Sequence, residues 1–260
     1  MEDGADFQRR ALREAFGDSS DSDADSPSAA DSRGGGGGGG GERDRARWEM
    51  VEGVKGLWLC PNFLSPKNQS SLLSAVNREG WFSDDAHNQA MRFGDFPEWA
   101  TELTRLVREA VCVSEISSRA DQEACPLPLD LLWREPLFDQ LIANVYKPGE
   151  GICAHVDLMR FEDGIAIVSL ESPCIMHFTR PTTDMEVGTT ATLEEDRELT
   201  KRVPVLLTPG SLVLMSGEVR YLWKHEINRK PGNQVWEGKE IQQGRRTSVT
   251  LRKLCPSPPS

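Results

Sequence analysis

The chain has 260 residues, with 41 acidic against 30 basic side chains, a formal net charge of −11 and 38% hydrophobic residues. That length leaves room for one domain with a full core, or for two small ones. A chain this acidic does not hold a nucleic acid by bulk charge, so any such contact needs a local basic patch.

Residues 1–47 carry 11 acids and 7 bases and almost no large apolar side chains beyond Phe7, Leu12 and Phe16. A stretch such as "GDSSDSDADSPSAADSRGGGGGGGG" cannot bury enough surface to offset its ordering entropy. It is expected to be a disordered tail in which Gly34–Gly41 is a flexible tether. Within it, "FQRRALREAF" has helical spacing and reads either as a frayed end or as a transient, partner-docking helix. Its serines lie among acids, where phosphorylation would add charge.

Residues 48–260, with 30 acids and 23 bases, form the expected folded domain. After a strand in "VKGLWLC", the run "LSPKNQSSLLSAVNREG" has helix punctuation: Ser65 as N-cap, Pro66 in the first turn and Gly80 as stop. Leu72, Leu73 and Val76 would be its buried stripe. The stretch "NQAMRFGDFPEW" follows, and from about Pro97 a second helix places Trp99, Leu103, Leu106, Val107, Ala110 and Val111 at intervals of three and four.

From about Leu141 the period changes. "LIANVYKPGEGICAHVD", "GIAIVSLES", "PCIMHFTR", "VPVLLTPGSLVLMSG" and "RRTSVTLRKL" are short β-branched runs split by Gly, Pro-Gly or polar turns, the pattern of an all-β barrel or jelly roll. "TPGS" at 208–211 is a tight turn between two of these strands. The polar run "PTTDMEVGTTATLEEDRELTKR" is expected to be a surface insertion or mobile loop. The fold class predicted is α+β: a β core over about residues 140–254 with N-terminal helices packed on one side.

His155 and Asp157, in "HVD", are two residues apart, so on extended backbone both point to one face. They are either metal ligands or two polar side chains at a strand end. Among the remaining histidines, His87 lies on the helical side and His177 alternates with Met176 and Phe178. That leaves His225, in "YLWKHEINR", as the best third ligand. Two imidazoles and a carboxylate are the facial triad of non-haem iron oxygenases, which keeps coordination positions open. "GRRTSVTLRK" would supply a handle for a dicarboxylate cosubstrate: Arg246, Ser248 and Arg252 share parity, whereas Arg245 points the other way. The same run also reads as a basic edge strand that resists aggregation.

The pattern N-x-Y-x-P-G-x-G-x-x-x-H-x-D in "NVYKPGEGICAHVD", with the later His225 and an R-x-x-x-x-x-R ending at Arg252, resembles the AlkB family of Fe(II)/2-oxoglutarate-dependent dioxygenases over about residues 54–254. The resemblance implies a double-stranded β-helix (jelly-roll) core and cofactors Fe(II), 2-oxoglutarate and dioxygen. It implies His155, Asp157 and His225 as iron ligands, and Asn144, Tyr146, Arg246, Ser248 and Arg252 as the cosubstrate set. It implies oxidation of a substrate C–H bond, ending in hydroxylation or in loss of an N-methyl group as formaldehyde.

"HFTR" and "RFEDGIAIVSLES" look most similar to the tRNA-hydroxylase-like branch, which favours RNA among nucleic-acid substrates; protein side chains are the alternative target. A non-catalytic β-sandwich interaction module is a third reading. Members that repair DNA often carry another acid just after the His-x-Asp, where this chain has Leu158, Met159 and Arg160. "NQAMRFGDFPEW" occupies the position of the family's substrate lid. Met91, Arg92, Phe93 and Phe96 would there clamp a flipped base, or else plug into the β core.

The six cysteines form no C-x-x-C pair and read as reduced core thiols. With neither a signal peptide nor a membrane span in view, the expectation is a soluble monomer of the cytoplasm or nucleus.

Overall fold

The computed structural model describes residues 47–84, 87–113, 125–180, 201–229 and 234–256. The expectations for the N-terminal tail and for the polar stretch 181–200 lie outside the described residues.

The first helix, α1 (Pro66–Arg78), starts where the Ser65 hydroxyl accepts the Asn68 backbone N–H at 3.3 Å, and it buries Leu72, Ala75 and Val76. Leu73, expected in that stripe, packs at its edge. Helix α2 (Glu98–Cys112) buries Ala100, Leu103, Val107, Ala110 and Val111. The single turn α3 (Leu129–Leu132) adds Leu132.

Seven strands make the larger sheet: β1 (Glu49–Met50), β2 (Leu57–Cys60), β3 (Gln89–Phe93), β4 (Gln140–Tyr146), β6 (Ile165–Leu170), β9 (Leu212–Met215) and β13 (Arg246–Arg252). Their order is β1-β2-β9-β6-β13-β4-β3. The smaller sheet, β5-β10-β7-β8, contains β5 (Ile152–His155), β7 (Cys174–Arg180), β8 (Lys201–Leu207) and β10 (Lys224–Ile227). A hairpin of β11 (Val235–Trp236) and β12 (Lys239–Glu240) stands apart, and a short helix α4 (Glu218–Leu222) links β9 to β10. All these pairings are antiparallel. The α+β jelly roll expected from the strand pattern is the fold observed.

Two apolar clusters divide the larger sheet by side-chain parity. Leu141, Ala143, Ala166, Val168, Leu212, Leu214, Val249 and Leu251 pack with the helices. Leu57, Ile165, Ile167, Val213 and Met215 pack instead with Cys174, Met176 and Phe178 of the smaller sheet. Each fully buried aliphatic side chain contributes about 1.5–3 kcal/mol, so both faces stabilise the fold.

One feature differs from expectation. Strands β1–β3, drawn from residues 49–93, join the sheet formed by the later strands, so the β core reaches well before residue 140. The turn at 208–211 joins two strands as expected, β8 and β9, and carries the chain from one sheet to the other. It can do so because Gly210 has φ +84° and a side chain there would meet the Leu64 carbonyl oxygen at 2.6 Å.

Candidate metal and cosubstrate site

In the smaller sheet β5 and β10 are neighbours, with His155 directly opposite His225. Their ring centroids are 4.3 Å apart. Gly151 makes this approach feasible, since a side chain there would run into the backbone of Ile227 on β10. Asp157 lies two residues past the end of β5, and its Oδ2 is 3.7 Å from His225 Nε2. One ligand atom from each of His155, Asp157 and His225 falls within 4.8 Å of the others. Three donors this close can share a single ion.

The charges suit a cation. Burial would raise the Asp157 carboxyl, but Arg252, His225 and His155 hold it down at about 2, so it is ionised. Burial, with His155 beside it, pushes His225 down to about 3, which keeps its imidazole neutral and able to donate a lone pair. His155 Nδ1 lies 2.8 Å from the Cys153 carbonyl oxygen; that contact fixes a tautomer in which Nε2 is the donor atom.

Strand β13 carries the second half of the site. It runs between β4 and β6, with Arg246 opposite Tyr146, Ser248 opposite Asn144 and Arg252 opposite Gln140. The Arg246 guanidinium lies 4.1 Å from the Tyr146 ring centroid, and its Nη2 is buried without a hydrogen-bond partner. A buried, unpaired guanidinium N–H is costly, and a carboxylate is the group that matches it. Tyr146 and Ser248 hydrogen bond beside it, and Asn144 accepts the Gln89 amide N–H at 2.6 Å. The residues present therefore fit a dicarboxylate held at Arg246.

Arg252 lies six residues beyond Arg246 on β13, beside the ligand cluster. It pairs with Asp157 Oδ1 and lies 4.9 Å from the Phe161 ring. It orients the metal-binding carboxylate at the opposite end of the strand from Arg246. Arg245, expected to face away, is exposed and paired with Glu171.

The four lid candidates separate. Met91, Arg92 and Phe93 belong to no free loop, since β3 is paired along its length with β4, whereas Phe96 lies in the connection to α2. Met91 and Phe93, opposite Ile142 and Gln140, share the inner face with Asn144. Arg92 lies 4.5 Å over the Trp81 ring on the helical side, and Phe96 packs into the helical core. His177 stands on β7 with the opposite parity to Met176 and Phe178, and His87 is exposed beside Asp84, so neither joins the ligand cluster.

Two site residues escaped the sequence reading. Gln140 is fully buried and accepts the Arg252 Nη1 hydrogen bond at 3.4 Å. Arg220, on α4, is 1% exposed and donates to the carbonyl oxygens of Asp157, Leu158 and Phe161. Its only signal was its place five residues before His225.

Over residues 56–252 the chain matches the 2OG-Fe(II) oxygenase superfamily. The chain belongs to that superfamily. Its Fe(II), 2-oxoglutarate and dioxygen are the cofactors that the oxygenase's two donor sets fit. The oxygenase is 30% identical over 214 residues to an alkylated DNA repair protein ALKBH8 homolog of Arabidopsis thaliana, covering 77% of this chain and 59% of the relative. It is 28% identical to the Xenopus tropicalis tRNA (carboxymethyluridine(34)-5-O)-methyltransferase alkbh8, covering 78% of this chain and 32% of the relative. The oxygenase thus spans 59% and 32% of the length of these two relatives. The solved structure of OsALKBH1 shares its fold, with a TM-score of 0.51 at 14% identity, covering 78% of this chain and 100% of the other.

Proposed function

We propose that residues 48–260 form an AlkB-like dioxygenase domain that oxidises a C–H bond on a nucleic acid, RNA in preference to DNA. The observation that carries this reading is the pairing of the His155, Asp157 and His225 cluster with a buried Arg246 whose Nη2 has no hydrogen-bond partner. In this reading His155, Asp157 and His225 hold Fe(II), with Arg252 orienting Asp157. Arg246, Ser248, Tyr146 and Asn144 hold 2-oxoglutarate by its far carboxylate. When bound, these cofactors and dioxygen supply the oxidation: 2-oxoglutarate leaves as succinate and CO2, and one oxygen atom enters the substrate. The protein contributes the positioning of both groups, on side chains of which Asp157, His225 and Arg246 are buried.

A nucleic-acid substrate is supported by the relatives, whose names refer to alkylated DNA repair and to tRNA. RNA is favoured by the relative whose name refers to tRNA; Leu158, Met159 and Arg160, which follow the metal carboxylate, offer no negative charge and so argue against a cationic alkylated base. On the inner face of β3, Met91 and Phe93 are the apolar surfaces against which an extruded base would stack.

The test is an anaerobic titration with Fe(II) and 2-oxoglutarate, following the weak visible charge-transfer band, then admission of air and assay of succinate. A band that decays as succinate forms is expected, with faster turnover on modified single-stranded RNA than on the matching DNA. Correctly folded protein giving neither band nor succinate would overturn the assignment of the site. Equal stimulation by DNA would overturn the preference for RNA.

A further inference from the structure

We propose that Arg220 is a positioning residue for the metal centre: it sets where the Asp157 carboxylate stands relative to His225. This inference rests on the metal site proposed above.

Arg220 is fully enclosed although it sits on α4, a helix of one and a half turns whose next two residues, Tyr221 and Leu222, are exposed. A buried guanidinium is costly unless its donors are used; here both terminal nitrogens are, while Nε has no hydrogen-bond partner. Its Nη1 donates to the Asp157 carbonyl at 2.9 Å, and its Nη2 to Leu158 at 2.8 Å and Phe161 at 2.9 Å. All three acceptors belong to the irregular segment that follows β5. Its far end is tied to the chain after β13 by an isolated bridge between Phe161 and Leu254, but the stretch that carries the carboxylate ligand belongs to no strand.

A second contact joins the same two elements. The backbone N–H of Gly217, just before α4, donates to the Asp163 carboxylate at 2.9 Å. Arg134 in turn holds the Asp163 carbonyl at 2.6 Å. Segment 157–163 is thus clamped to 217–220, which supplies the donors at both contacts: the Arg220 guanidinium and the Gly217 backbone N–H.

The chain leaving α4 enters β10 at Lys224, and His225 follows at once. The clamp therefore ties the backbone of one ligand to the element that delivers another. His155 and His225 are already registered by the β5–β10 ladder; Asp157 is the ligand whose place depends on something else. Arg252 fixes the carboxylate from the larger sheet, and Arg220 fixes the backbone behind it. A planar fork with several fixed donors suits three carbonyls in a tight turn, and a lysine ammonium cannot reproduce that geometry.

The experiment compares the full chain with Arg220→Met, Arg220→Lys and Asp157→Ala. Mn(II), an oxygen-stable probe, is titrated in the presence of 2-oxoglutarate and free metal is followed by EPR. Circular dichroism and the unfolding midpoint are recorded without added metal. Outer partners of metal ligands typically set affinity by about 10- to 100-fold. A rise of that size in the Mn(II) Kd is expected for Arg220→Met, with Arg220→Lys intermediate and Asp157→Ala showing no saturable binding. A merely structural role would lower the midpoint and leave the Kd of the folded protein unchanged, and that result would overturn the proposal. Should Arg220→Met fail to fold, Arg220→Lys decides: a raised Kd supports the positioning role, and a wild-type Kd overturns it. Wild-type binding by Asp157→Ala would instead refute the metal site itself, separately from Arg220.

Discussion

The two faces of the seven-stranded sheet use the same strands for opposite ends. On β13, Val249 and Leu251 turn toward the helices and pack among Leu141, Val168 and Leu214, a face of hydrocarbon. Arg246, Ser248 and Arg252, alternating with them, turn inward and are buried among groups that bind or charge one another. The contrast teaches how a buried arginine is made affordable: the backbone that presents it is held from behind by apolar packing. Rigidity resides on the helical face and chemistry on the inner face.

Changes on each face should therefore separate stability from binding. Leu141→Ala, on the helical face, should cost about 2–5 kcal/mol in urea unfolding and leave the metal affinity of the folded fraction unchanged. A matching loss of metal affinity would show that the faces are not independent. Arg246→Met, on the inner face, should weaken 2-oxoglutarate binding by about 1.5–3 kcal/mol, roughly ten- to a hundredfold in the concentration needed for half-maximal turnover. Its unfolding midpoint should hold or rise, because a buried donor without a partner has been removed. An unchanged 2-oxoglutarate requirement would place the anchor elsewhere. The smallest effect is expected one residue away: Arg245→Ala breaks only an exposed pair with Glu171 and should change stability by less than about 1 kcal/mol, with no effect on 2-oxoglutarate.

What could be read from sequence follows the same division. Strand parity placed Arg246, Ser248 and Arg252 on one face and Arg245 on the other, because a period of two survives whatever the sheet packs against. The His-x-Asp pair was legible for the same reason, and His225 was reached by setting aside His87 and His177. The stretch around Arg92 was harder. "NQAMRFGDFPEW" is too polar to announce a strand; its pairing with β4 made it one, and pairing decided that Met91 and Phe93 face inward while Arg92 faces Trp81. Arg220 was illegible because a buried arginine is defined by its acceptors, three carbonyls about sixty residues earlier in the chain. The separate partners of Arg246 and Arg252 also needed the structure, since a shared face does not say that one guanidinium lies on Tyr146 and the other pairs with Asp157.

The position of β13 also bears on how the protein is made. This strand, at residues 246–252, lies between β4 and β6, and its register joins Arg252 to Gln140 across more than a hundred residues of chain. Neither of those strands has its partner on that side until β13 has left the ribosome, so two hydrophobic strand edges wait while the intervening strands are made. Such long-range closure is slow and leaves the nascent chain open to misassociation. It also makes late completion a form of quality control, because Arg246 and Arg252 enter the site only with the strand that closes the sheet.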